Sequence, residues 1–239
     1  MLRVQANALK NARGESAVLH GVSLPSLADL SAAGLDPVQV LETHARNGAA
    51  VARLAVDDAE LVPVYVPLKL LPLVERAEAL NVVLVLAFRN IPTDKLDKQI
   101  DQAEDFLRLA VPALRGHPSV WLEPLDQRVE APEGRRRTIA ERLIDVVRGQ
   151  GDNRVLVIGD ASWLASADPA INAPLRQRNI VYAVRTINDW PSAVGESLPR
   201  FMTVPATPSE IAAAAAAGIG TTSADTASSD IWKSSRGCR

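Results

Sequence analysis

Short apolar runs of strand length alternate with longer stretches of helical spacing from one end of the chain to the other. That rhythm is the signature of βα units around a parallel sheet. The clearest run, residues 82–88, contains no polar side chain at all. It reads as a strand buried on both faces, as in a parallel sheet covered by helices. Seven further strands are predicted at 17–22, 50–56, 119–125, 154–159, 179–185, 200–204 and 218–222. Asp36 followed by Pro37 marks a helix start, because the carboxylate caps free N–H groups and proline has none to leave unbonded. Val38, Leu41 and Ala45 then share one face. More helices are predicted near 68–80, 94–114 and 134–148, and after Thr207-Pro208-Ser209-Glu210, where a cap precedes an alanine run. Segments 165–178 and 189–197, where the fifth and sixth helices belong, are rich in Pro, Asn and Ser and predict stunted connections.

Eight strands in this order predict an α/β protein: a single, reduced (β/α)8 barrel. The 239 residues suit one such barrel, which takes about 200–250, and would cramp two domains. The barrel is expected to span 1–223, with a Ser-rich, irregular tail over 224–239.

Composition narrows the partners. Apolar residues make up 47% and charged residues 23%, an ordinary soluble balance, and the formal charge of −2 comes from interspersed acids and bases. This gives no electrostatic reason to expect nucleic acid or an anionic membrane. The densest basic run, Arg135-Arg136-Arg137, reads as a solvated helix start. The single cysteine, Cys238, excludes an intrachain disulfide and a Cys-based zinc site. No apolar run reaches the ~20 residues of a membrane helix, so no membrane insertion is expected. The start, as written, has no basic segment leading into an apolar one, which favours a cytoplasmic location over secretion.

Several stretches together resemble the cellulase-like family 5 glycoside hydrolases. Residues 4–9 and 14–23 resemble the family's N-terminal signature, in which a small β-hairpin caps the barrel floor and leads into the first strand. Ala52-Arg53-Leu54 resembles the second strand, whose Arg lies under the active site. Glu123-Pro124-Leu125-Asp126-Gln127-Arg128 stands where the family has Glu-x-x-Asn-Glu-Pro at the end of strand four. Val157 to Trp163 resembles the fifth strand and its loop, and Tyr182 to Ile187 the sixth-strand Tyr-x-x-His-x-Tyr. The resemblance spans nearly the whole chain and implies a glycosidase barrel acting on polysaccharide.

The departures fall on the chemistry. A retaining glycosidase needs two carboxyl groups about 5 Å apart, one acid/base and one nucleophile. By this resemblance the acid/base falls on Gln127 and the nucleophile at about Val204. The family's two histidines fall on Arg89 and Arg185, and of the central set Arg53 remains. An amide does not transfer protons usefully near neutral pH, and a valine cannot attack an anomeric carbon. The expectation is therefore a non-catalytic, glycoside-hydrolase-like barrel, a structural or binding subunit for a protein or glycan partner, with no catalytic residue, cofactor or metal.

Two alternatives stay open. An active hydrolase would have relocated its carboxylates, with Glu123, Asp126 and Asp160 as candidates. Alternatively, Arg89 and Arg185, where the family has histidines, make the mouth cationic and bind an anionic small molecule. Against these stand plainer readings: Glu123 as a buried carboxylate paired with Arg53, and the arginines bridged to Asp126, Asp160 or Asp189. Trp163 and Trp190, after strands five and six, either line a sugar cleft or pack loops. His20 is expected in the core or at the barrel bottom, and His44 and His117 in solvent.

Overall fold

The computed structural model describes residues 2–5, 8–57, 65–89, 96–125, 131–159, 161–166, 168, 170–171, 173–184, 200–202 and 220–224. The chain opens with a three-stranded antiparallel sheet, β1 (Arg3–Gln5), β2 (Ala8–Lys10) and β3 (Ser16–Ala17). The barrel follows: β4 (His20–Leu24), β5 (Val51–Asp57), β6 (Val83–Arg89), β7 (Val120–Glu123), β8 (Leu156–Ile158), β9 (Ile180–Val184), β10 (Arg200–Met202) and β11 (Gly220–Ala224). Each is parallel to the next, and β11 returns to β4 to close the ring. This is the eight-stranded barrel that the alternation predicts, with the β1–β2 hairpin beneath it.

The helices have readable starts and stops. Between β4 and β5 lie α1 (Leu27–Ala32) and α2 (Pro37–Arg46). The Asp36 carboxylate accepts from the Val38 N–H at 2.9 Å and so caps α2, with Pro37 in its first turn. A π-helical turn (Val66–Leu70) leads into α3 (Leu71–Ala79), where the Leu71 N–H reaches back to the Val66 carbonyl. α4 (Leu96–Ala113) and α5 (Glu133–Gly149) flank β7. α3 is followed by Asn81 and α5 by Gly151, both at positive φ (57° and 75°), the left-handed turn that ends a helix. A short 3₁₀ turn (Ser162–Ala165) stands where a fifth helix would be, as the Pro- and Asn-rich segment predicts.

The strands separate two cores by their period of two. Ala52, Leu54 and Val56 of β5 pack outward with the helices, whereas Val51 faces the interior beside Val83, Val85, Trp121, Val155, Val157, Val181 and Ala183. Leu9 and Leu19 join this inner cluster, with Leu2, Val4 and Ala17 against it, so the N-terminal sheet stoppers the barrel bottom. One difference from the expected first strand lies here. Residues 17–22 do not form one strand: Ala17 ends β3, the chain breaks at Val18 and Leu19, and β4 begins only at His20. Leu19 still joins the inner cluster at the floor, on the same side of the chain as Gly21 and Ser23.

The Arg135-Arg136-Arg137 run is less idle than a solvated helix start. Arg135 pairs with Asp97 of α4 at 2.7 Å, and Arg137 pairs with Glu141 and donates to the Ala170 carbonyl at 3.0 Å. It thus holds the loop that replaces helix five. Two histidines expected in solvent are not there: His44 is buried on α2, and His117 is partly buried 2.9 Å from a Glu78 carboxylate oxygen. Among the described residues, no helix is long and apolar enough to cross a membrane.

Candidate functional site at the strand ends

In a (β/α)8 barrel the carboxyl ends of the strands carry the chemistry. Along β5 the inward positions are Val51, Arg53, Ala55 and Asp57, rising from the apolar floor to the rim. On β6 they are Val83, Val85, Ala87 and Arg89, and on β7 Trp121 and Glu123. Two charged levels therefore sit above the inner core.

The lower level is a buried ion pair. Arg53 Nε donates to Glu123 Oε2 at 2.6 Å, with side chains 9% and 1% exposed. The pair spans from β5 to β7 across β6. It fits because the intervening positions are small: Ala55 and Ala87 face each other in register, and Ala87 lies opposite Glu123. On the other side Gly159 has no side chain, and a Cβ there would stand 3.0 Å from Glu123 Oε1 and 2.3 Å from the Leu125 carbonyl oxygen. This is the pairing that the plainer reading of Glu123 expects.

The upper level is a clamp at the rim. Asp57 and Arg89 are register partners at the ends of β5 and β6. Arg89 Nε donates to Asp57 Oδ1 at 2.6 Å and Nη2 to Asp57 Oδ2 at 2.9 Å, a two-pronged contact. Nη2 also donates to Asp29 Oδ2 of α1 at 3.1 Å. The expected partners Asp126, Asp160 and Asp189 lie outside the described residues, and the clamp is made by two aspartates not named for it. Burial pushes the Asp57 carboxyl up, but hydrogen bonds from Arg89 and Ser26 outweigh this and hold it below its ordinary value. The same bond to Asp57 raises Arg89, keeping it charged at any working pH.

Ser26 belongs to this site because of a helix absent from the sequence-based expectation. Its Oγ accepts from the Asp29 N–H at 3.1 Å and caps α1, whose Leu27 and Leu30 are buried. The Ser-x-x-Asp spacing of Ser26 and Asp29 is a capping signal that could have revealed it.

Trp163 does not line a cleft. It is fully buried in the outer core, in the 3₁₀ turn packed on α5. On the seam between β11 and β4, Ser23 Oγ donates to Thr222 Oγ1 at 3.0 Å, and His20 Nδ1 lies 2.9 Å from Thr221 Oγ1. Asp126, Gln127, Asp160, Arg185, Trp190 and Val204 lie outside the described residues. Among the described residues, no group of three or more His, Cys, Asp or Glu side chains could hold a metal ion.

Chemically, the described acids at the mouth are committed. Glu123 and Asp57 each accept charge-assisted bonds from an arginine. Asp57, held ionised by Arg89, has no proton to donate as a general acid and is a weaker base, and Glu123 is occupied by Arg53.

No family model matches the sequence, and neither does any curated protein. Solved structures do share the fold. The catalytic domain of Thermobifida fusca endoglucanase Cel5A superposes with a TM-score of 0.75 at 19% identity, covering 93% of this chain and 83% of that one. A β-glucanase from Saccharophagus degradans, solved with cellotetraose, gives 0.78 at 17% identity over 93% and 83%. A mannanase catalytic domain from Streptomyces sp. SirexAA-E gives 0.71 at 15% identity over 93% and 79%. The fold is that of the cellulase-like family 5 barrels which the sequence resembles.

Proposed function

We propose that this chain is a non-catalytic member of the glycoside-hydrolase-like barrels, serving as a binding subunit for a glycan. The observation that carries this reading is the Arg53–Glu123 pair. The one acid deep in the described mouth is buried and tied to a guanidinium. The acid nearest the rim, Asp57, is tied to a second. The sequence adds glutamine and valine where the resemblance places the acid/base and the nucleophile. A fold can persist after its chemistry is gone, because fold and site are separable. The likeness to glucanases and a mannanase supports a saccharide over a protein as the partner.

The test is hydrolysis of chromogenic β-glycosides and soluble β-glucans by the full chain, beside a Gln127→Glu plus Val204→Glu double variant. The natural chain is expected to be inert, while binding saccharide. Turnover that disappears in Glu123→Gln, Asp126→Asn or Asp160→Asn would overturn the proposal and establish relocated carboxylates. Activity gained by the double variant would support the descent of this mouth from a working one.

A further inference from the structure

Arg89 is engaged on one edge and open on the other. Its Nε and Nη2 are held by Asp57, and Nη2 is shared with Asp29, but Nη1 makes no hydrogen bond among the described residues. The side chain is 38% exposed at the strand ends. The two partners are unequal. Asp57 is 23% exposed, sits in register on the neighbouring strand and makes both short contacts. Asp29 is 54% exposed and makes the single, longest contact, from a six-residue helix. Asp57 therefore orients the guanidinium, and Asp29 occupies a place that another carboxylate could take.

We infer that Arg89 is the anchor for a carboxylate-bearing sugar, a uronate unit of an acidic oligosaccharide, which displaces Asp29 and is held by Nη1 and Nη2. The guanidinium fork presents two parallel N–H donors matched to a planar carboxylate, which a histidine in that position could not do. The displaced Asp29, 54% exposed on α1, turns into water, where solvent and salt screen its repulsion of the incoming carboxylate. An exposed pair of this kind contributes little, so its loss is a small obstacle. The inference rests on the saccharide-binding reading above and selects the class of saccharide.

Calorimetric titration of the full chain with oligogalacturonate and with neutral cello-oligosaccharide tests it. The acidic ligand is expected to bind and the neutral one to bind more weakly. Arg89→Leu should lower affinity for the acidic ligand by about tenfold or more, since a charged hydrogen-bonding partner is lost. Arg89→Lys, which keeps the charge but not the fork, should fall between. Asp29→Asn carries the decisive sign: removing the competing carboxylate should tighten acidic binding by about two- to fivefold and leave neutral binding unchanged. Tighter binding of the neutral ligand, or weakened acidic binding in Asp29→Asn, would overturn the inference while the saccharide-binding reading stands. Binding of neither ligand would overturn both. Thermal melts of each variant establish that the fold is intact.

Discussion

The buried Arg53–Glu123 pair makes a quantitative demand on stability. With side chains 9% and 1% exposed, both charges have left water. Replacing Arg53 by Met leaves the Glu123 carboxylate buried beside Ala87 and Gly159 without the guanidinium that compensates its desolvation. Breaking a buried pair from one side costs about 3–5 kcal/mol, far more than the 0–1 kcal/mol of an exposed pair. In a domain of this size each kcal/mol moves the melting temperature by about 2–4 °C, so a drop of about 6–20 °C is expected. Glu123→Leu should lose stability on the same scale, for the same reason seen from the other charge.

The double variant separates this account from simple loss of packing. With both charges replaced by apolar side chains of similar length, neither is left unpaired, and such exchanges are often neutral or stabilising. Arg53→Met plus Glu123→Leu should therefore be far less destabilised than the sum of the two single variants, with a coupling of at least about 2 kcal/mol by urea unfolding. Single variants that each lose under about 1 kcal/mol, or losses that simply add, would refute the idea that the pair is a desolvated strut.

Three further outcomes follow from the same geometry. Gly159→Ala should destabilise by about 1–3 kcal/mol, because its Cβ would meet the Leu125 carbonyl oxygen at 2.3 Å and Glu123 Oε1 at 3.0 Å; urea unfolding reads the loss. The Asp57–Arg89 clamp should weaken in acid: Asp57 is held below its ordinary 3.8, so its stabilisation is complete above about pH 4 and is lost as pH falls through the depressed value. Melts of the wild type and Asp57→Asn should thus converge at low pH and differ near neutrality by about 1 kcal/mol, this being a half-exposed pair. Trp163→Ala should cost about 3–5 kcal/mol, as a fully buried ring, yet leave saccharide affinity unchanged in calorimetric titration.

The barrel was legible because its strands are buried on both faces. β5 and β6 are apolar over most of their length for that reason. The long helices were legible from caps and spacing. The misread parts are those where a short element answers to packing rather than to pattern. The interruption at Val18 and Leu19 separates a strand of the N-terminal sheet from a barrel strand, and nothing local in the run of 17–22 announces it. The stunted fifth connection was legible in its Pro and Asn content, but the burial of Trp163 in the short turn there was not.

The rim shows why a site can be half visible. Arg53 and Glu123 could be paired from the strand period alone, since both point inward and one charge requires the other. Arg89 was visible as an oddity, but its partners were not. Asp57 could have been found by setting strands two and three in register, where the two residues stand opposite each other at the strand ends. Asp29 was harder to find, because its position depends on α1, a helix of six residues announced only by the Ser26–Asp29 capping spacing. Six residues give less than two turns of periodicity, too little to distinguish from a loop. The displaceable partner, Asp29, is thus also the one least marked in the sequence. Both facts have one origin: a contact from a short helix at the rim is weakly specified, in pattern and in energy, compared with one built between neighbouring strands.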